Sequence, residues 1–254
     1  MLRNPISGAL SNALRPPFGA SGTDLRAQVI AALYGNGELG TLLHFRDRST
    51  LFQDVAGTTP VTASGQPIAR ANDLSGNGAN WAQADSAKQF LARDAGAEQD
   101  LIDDFMATSG FNLVPASGSK TWTIFFGYPT PGTHDFIFLM QNGSVAPWSI
   151  IGQSGSTSTV ITSRSITQDS IRFDGAALTE ATRGEQYTEI TTSNYVVQQL
   201  TVPVDIFQWD EPLIGVRSDG NWKSPQIMSV VGIVEGALSS EKLALLEQWL
   251  AVES

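Results

Sequence analysis

Paired carboxylates are the first chemistry to look for in this chain. Two acids converging about 5–10 Å apart can cleave a glycosidic bond, one as acid and the other as base or nucleophile. The obvious candidate stretch, DIFQWDE, holds Asp205, Asp210 and Glu211. Asp205 and Asp210 are five positions apart, so a regular strand points them to opposite sides. Asp103 and Asp104 are adjacent and diverge on a strand for the same reason. No G-x-S-x-G elbow is present, and His44 and His134 have no catalytic motif around them, so both read as structural or surface residues. In NDLSGNG, Asp73, Ser75 and Asn77 alternate as in the opening of a calcium loop. The closing position, where such a loop has Glu, is Ala84. An Asx turn followed by Gly-Asn-Gly fits better, with Asp73 and Asn77 kept as the one candidate for a Ca²⁺ ion and no other cofactor expected. GNGELG (35–40) follows a helical stretch rather than a strand and has no Lys, so it is not a phosphate cradle.

Aromatic residues offer a different chemistry. Of the six tryptophans, Trp122 and Trp249 fall in phase with core residues, while Trp81, Trp148, Trp209 and Trp222 sit beside turn residues. An indole ring stacks on the C–H face of a sugar, and a neighbouring side-chain amide reaches its hydroxyls. Trp148, Trp222 and Trp209, with Asn142 and Asn221, form the candidate glycan-binding set. The bland alternative is that these rings plug the ends of the fold.

The elements that must position these groups are mostly strands. The chain has 254 residues, 41% of them hydrophobic and 16% charged, with 24 glycines. That balance suits one β-rich, turn-rich domain with a substantial core. The net charge of −10, without a basic patch, argues against nucleic acid. The absence of cysteine excludes disulfides and thiolate metal sites. No stretch suits insertion into a membrane as a helix, and MLRNPISGALSNALRPPFGASG has no continuous apolar region, so no signal peptide is expected.

TWTIFFGY alternates, with Trp122, Ile124, Phe126 and Tyr128 on one face, opposite Thr121 and Thr123. HDFIFLM (134–140) reads as a strand buried on both faces. Further strands are expected at 147–151, 158–163, 169–173, 186–192, 194–202, 204–209, 212–217 and 226–234, with hairpin turns at Asp174–Gly175 and Asp219–Gly220. Two helices flank them. Asp24 to Tyr34 can be capped by Thr23 and stopped by Gly35. The C-terminal helix, capped by Ser239 or Ser240, carries Leu243, Leu246, Trp249 and Leu250 on one stripe. Residues 1–22 form a separate zone with Arg3, Arg15, three prolines and no acid. Leu2, Ile6, Leu10, Leu14 and Phe18 recur every four positions, as an arm that docks on another protein would need. Residues 23–254 are then a single domain.

One segment is specific beyond its chemistry. GELG…STLFQDVAGTTPVTASGQPIARANDLSGNGANWAQ resembles a recurring module in proteins of tailed bacteriophages and prophages. The matching residues are Gly37, Glu38 and Gly40; Leu51 to Asp54; Gly57 to Val61; Gly65 to Pro67; and Asp73, Ser75, Gly76 and Gly78. GALSSEKLALLEQWLA is similar to the end of the same proteins. The resemblance covers about 37–83 and 226–252 closely. It implies a concanavalin A-like (laminin-G-like) jelly-roll β-sandwich with a short N-terminal helix and a C-terminal helix. It further implies a virion component, a head or tail spike or fibre that meets host surface glycans. The arm resembles leaders by which such proteins, including those of gene transfer agents, insert into the particle. LLHFRDR (42–48) departs from the family, which often has an aromatic followed by Asp-Pro there. The expectation is therefore a non-enzymatic particle protein made in the bacterial cytoplasm and displayed on the particle surface. Its partners would be other virion proteins and host polysaccharide, and a homo-oligomer is compatible. A decoration protein without ligand and a polysaccharide-degrading enzyme stand as alternatives.

Overall fold

A computed structural model describes residues 22–100, 102–108, 117–129, 136–142, 145–153, 155–158, 166–179, 182–203, 212–215 and 227–254. In chain order the elements are α1 (Gly22–Tyr34), β1 (Gly40–His44), β2 (Leu51–Phe52), β3 (Pro67–Ile68), β4 (Arg70–Ala71), β5 (Trp81–Ala82), β6 (Phe90–Arg93), β7 (Gly96–Glu98), β8 (Phe105–Ala107) and β9 (Ser119–Gly127). They continue with β10 (Phe136–Asn142), β11 (Val145–Gln153), β12 (Thr167–Phe173), β13 (Ala176–Leu178), α2 (Arg183–Ile190), β14 (Tyr195–Pro203), β15 (Pro212–Gly215), β16 (Ile227–Met228), β17 (Val230–Glu235) and α3 (Ser240–Glu253).

The fold is mainly β, with antiparallel sheets and a helix near each end. One sheet runs β1-β17-β9-β14-β12-β13, a second β11-β10-β15-β8-β5-β4-β2, and a third β16-β7-β6-β3. The third sheet bridges the other two. β3 becomes β4 through the single residue Ala69, and β16 becomes β17 through Ser229, so two continuous chain segments pass from one sheet to the next. Strands that bend in this way form corners between sheets. One apolar cluster draws on all three: Trp122, Phe126 and Ile233 from the first, Trp81 and Met106 from the second, Ile68 and Phe90 from the third.

β9 holds the centre because both its faces are covered. Trp122, Ile124 and Phe126, with Tyr128 beyond the strand, enter that shared core, as the alternation predicts. The opposite face is buried too. Thr123 is inaccessible and donates its hydroxyl to the Gly236 carbonyl. Phe125 enters a second cluster with Leu25, Val29 and Leu33 of α1 and Leu246, Trp249 and Leu250 of α3. The helices thus lie on the outer face of the first sheet. Gly232, in register with Phe125 on β17, leaves room for that ring; a Cβ there would lie 2.0 Å from it.

Most of the expected strands are present. β11 and β12 cover 147–151 and 169–173, β14 covers all but the first residue of 194–202, and β16 with β17 covers most of 226–234. At Asp174–Gly175 both residues have positive φ (45° and 80°), the geometry of a type I′ hairpin. Ser239 caps α3, its hydroxyl accepting from the Lys242 amide. The strand expected at 186–192 is instead α2. Thr182 and Glu185 form a reciprocal capping box that starts a helix where TRGE reads as a turn. The expected features at 204–209 and Asp219–Gly220, His134, and residues 159–163 of the expected strand at 158–163 lie outside the described residues.

Candidate functional site

Asp73 sits in the loop between β4 and β5, against the outer edge of β1. Its Oδ1 accepts from the backbone amides of Leu42 and Ser75, each at 2.9 Å. Its Oδ2 accepts from the Ser75 hydroxyl at 2.7 Å and the Ala79 amide at 3.1 Å. The Leu74 amide donates in turn to the Leu42 carbonyl at 2.8 Å. Asp73 and Leu74 therefore replace the neighbouring strand that β1 does not have, which is how an edge is protected from stray pairing. Asn77 closes the loop by donating to the carbonyls of Glu38 and Gly40. A carboxylate has about four acceptor positions, and here all four face N–H or O–H donors. This is the Asx-turn geometry expected from the sequence, with both oxygens of Asp73 engaged by donors of its own chain.

Trp81, grouped by sequence with the ring-stacking candidates, belongs to the core. It is fully buried and donates Nε1–H to the Thr41 hydroxyl at 3.1 Å. Its neighbours Asn80 and Gly78 suggest a surface turn, but the turn only delivers the ring inward. Asn142 ends β10, paired with Val145 of β11 and Pro212 of β15, and Trp148 of β11 pairs with Gln141. Pro212 of β15 is thus placed at the Asn142 end of the sheet. The side chains of Asn142 and Trp148 lie outside the described residues. So do Trp209, Asn221 and Trp222, and the arm residues Leu2, Arg3, Ile6, Leu10, Leu14, Arg15 and Phe18.

An acidic cluster was missed by sequence reasoning. Carboxylate oxygens of Asp100, Asp103 and Asp104 lie within 4.8 Å of one another, the one such trio among the described residues. Residues 102–103 form a bend and Asp104 precedes β8, so strand alternation does not separate these neighbours. The Asp100 carboxylate accepts from the Ile102 amide at 2.7 Å, and Asp104 accepts from the Asp100 amide at 2.7 Å. Lys88 balances Asp103 at 3.9 Å. Asp104 is 4% exposed. Burial pushes its carboxyl up to about 6; the Asp100 amide opposes this, and the charges of Asp100 and Asp103 add to it. A proton is thus held more tightly in the folded state than in the unfolded chain, where aspartate titrates near 3.9. The resulting stability is fully present below about pH 4 and is lost as pH rises through about 6. Asp104→Asn is accordingly expected to stabilise the protein by about 1–2 kcal/mol at pH 7–8. Denaturant melts should show that gain vanish below about pH 4.

No protein-family model matches the chain, and no curated protein or solved structure matches it either.

Proposed function

We propose that this chain is a structural component of a phage or phage-like particle, built as a concanavalin A-like jelly-roll sandwich. It is attached through residues 1–22 and binds host cell-surface polysaccharide through Trp148, Trp209 and Trp222 together with Asn142 and Asn221. The supporting observation is where the two segments that resemble the phage module meet. They are some 150 residues apart in sequence, yet Gly40 of the matched Gly-Glu-x-Gly entry pairs with Val234 at the head of the β1–β17 ladder, whose later positions run into the stretch that departs from the family. The Gly-Glu-x-Gly loop also reaches α3, where Glu38 takes Lys242 at 3.0 Å and Asn77 at its own carbonyl. Turn, strand and helix motifs therefore assemble into one substructure, as parts of one module would. Sheets joined at corners around a shared core suit a sandwich, and the proposed arm rests on the separate composition of residues 1–22.

Binding by such a protein is weak per site and strengthened by many copies on one particle. A multivalent display on a glycan array should bind at least one bacterial surface polysaccharide. No binding at millimolar sugar would sink the adhesin and leave a decoration role. Deleting residues 1–22 should give a folded domain that no longer joins particles, and normal incorporation of the truncated chain would refute attachment by the arm.

A second reading has one observation in its favour. Asp104, held protonated to about pH 6 beside two carboxylates, has the character of a general acid. If the chain is a polysaccharide-cleaving enzyme, reducing ends will be released from capsule and Asp104→Asn will abolish the release. Without such release, the cluster is a loop device only.

A further inference from the structure

His44, on β1, is 6% exposed and joins the two helices that cover the first sheet. On one side, Arg26 of α1 places Nη1 3.1 Å from its Nδ1. On the other, Glu253 at the end of α3 places Oε2 2.9 Å from its Nε2. Trp249 of α3 lies against the ring, with centroids 5.8 Å apart. Two more charges complete the surroundings. Asp47 takes Arg26 at 2.5 Å, and Arg46 lies 3.8 Å from Glu253.

A guanidinium has only donors and stays charged. Nδ1, facing it, must therefore offer a lone pair, and the ring proton sits on Nε2, donating to Glu253. With His44 neutral, the assembly holds two cations, Arg26 and Arg46, against two anions, Asp47 and Glu253. Both acids are held in their ionised form. The His44 hydrogen bond is the largest reason that Glu253 lies below the usual carboxylate range. Burial acts to raise Asp47, but hydrogen bonds from Ser49 and Arg26 outweigh it.

We propose that His44 is an acid-sensitive clasp for the N-terminal half of α1. Protonation puts a hydrogen on Nδ1, where it opposes the Arg26 donor, and adds a third cation to a balanced set. Arg26 is driven from the ring while the Glu253 contact strengthens. The two helices thus respond unequally: α3 stays pinned, and the first turns of α1 loosen, held then by Asp47 and the apolar contacts of Leu25, Val29 and Leu33. The clasp stands independently of the particle reading. If the arm does attach the protein, acid loosens the chain where arm meets body.

The test is hydrogen exchange of the amides of Arg26 to Ile30, corrected for intrinsic rate, compared between about pH 8 and about pH 5. Loss of a charge-assisted hydrogen bond predicts roughly 5- to 20-fold faster exchange there at the lower pH, with little change in α3. His44→Gln offers an amide donor to Glu253 and a carbonyl to Arg26 without titrating, and should abolish the response. Arg26→Met should exchange fast at both pH values. Nitrogen NMR of the ring should place the neutral proton on Nε2. The clasp is overturned by a proton on Nδ1, by pH-independent exchange in the unaltered protein, or by a response that survives in His44→Gln.

Discussion

Asp73→Ala should cost about 3–5 kcal/mol, because it strands several donors at once. The Leu42 amide belongs to a fully buried residue on β1, and Ser75 and Ala79 are each 8% exposed. A buried donor left without a partner costs about 1–3 kcal/mol, and bonds to a charged acceptor lie at the upper end. Water can rescue the Ser75 hydroxyl more easily than the Leu42 amide, which sets the sum below the simple total. At about 2–4 °C per kcal/mol for a chain of this size, melting should fall by roughly 6–20 °C. Asp73→Asn keeps one accepting oxygen but turns an N–H₂ toward the donors, so about half the loss should remain. Denaturant unfolding of both variants is the measurement. A value for Asp73→Ala within about 1 kcal/mol of the unaltered protein would mean that β1 does not depend on its substitute neighbour.

Trp81→Ala should cost a similar amount, about 3–5 kcal/mol, for a different reason. The ring is buried in the cluster shared by all three sheets, and no surrounding element can close the gap without shifting a sheet. Trp81→Phe separates packing from hydrogen bonding. It fills most of the volume and loses only the bond to Thr41, so about 1–2 kcal/mol is expected. The Thr41 hydroxyl also reaches the Ala79 carbonyl at 3.2 Å, next to the Ala79 amide held by Asp73. The two sites share this neighbour, and a double-mutant cycle should show non-additivity above about 0.5 kcal/mol. Strict additivity would show the loop and the ring to be independent.

These two residues also mark what could be read from the sequence and what could not. The glycines, prolines and Asx signals of 51–81 encode local geometry, so a turn-rich path was legible. That Asp73 serves β1 was not, because its partners lie 31 residues back along the chain at Leu42. Trp81 looked exposed because its neighbours in sequence are turn residues, and burial is decided by tertiary neighbours instead. The helix at 183–190 shows capping overriding a weak apolar alternation. Asp100, Asp103 and Asp104 converge because the backbone bends, which no spacing rule for strands or helices anticipates. His44 has no motif at all; its role comes from two helices at opposite ends of the chain.

The pairing of β1 with β17 also has a mechanical side. Gly40 faces Val234 and His44 faces Val230, so the strand that follows α1 and the strand that precedes α3 meet the helices at the same end. A force applied between the two chain termini pulls on that shared end. It strips the helices first and then opens the strand pair like a zipper, one residue pair at a time, which is the low-resistance direction for a sheet. Tethers that load α1 and α3 would therefore pull the β1–β17 pair in its zipper direction.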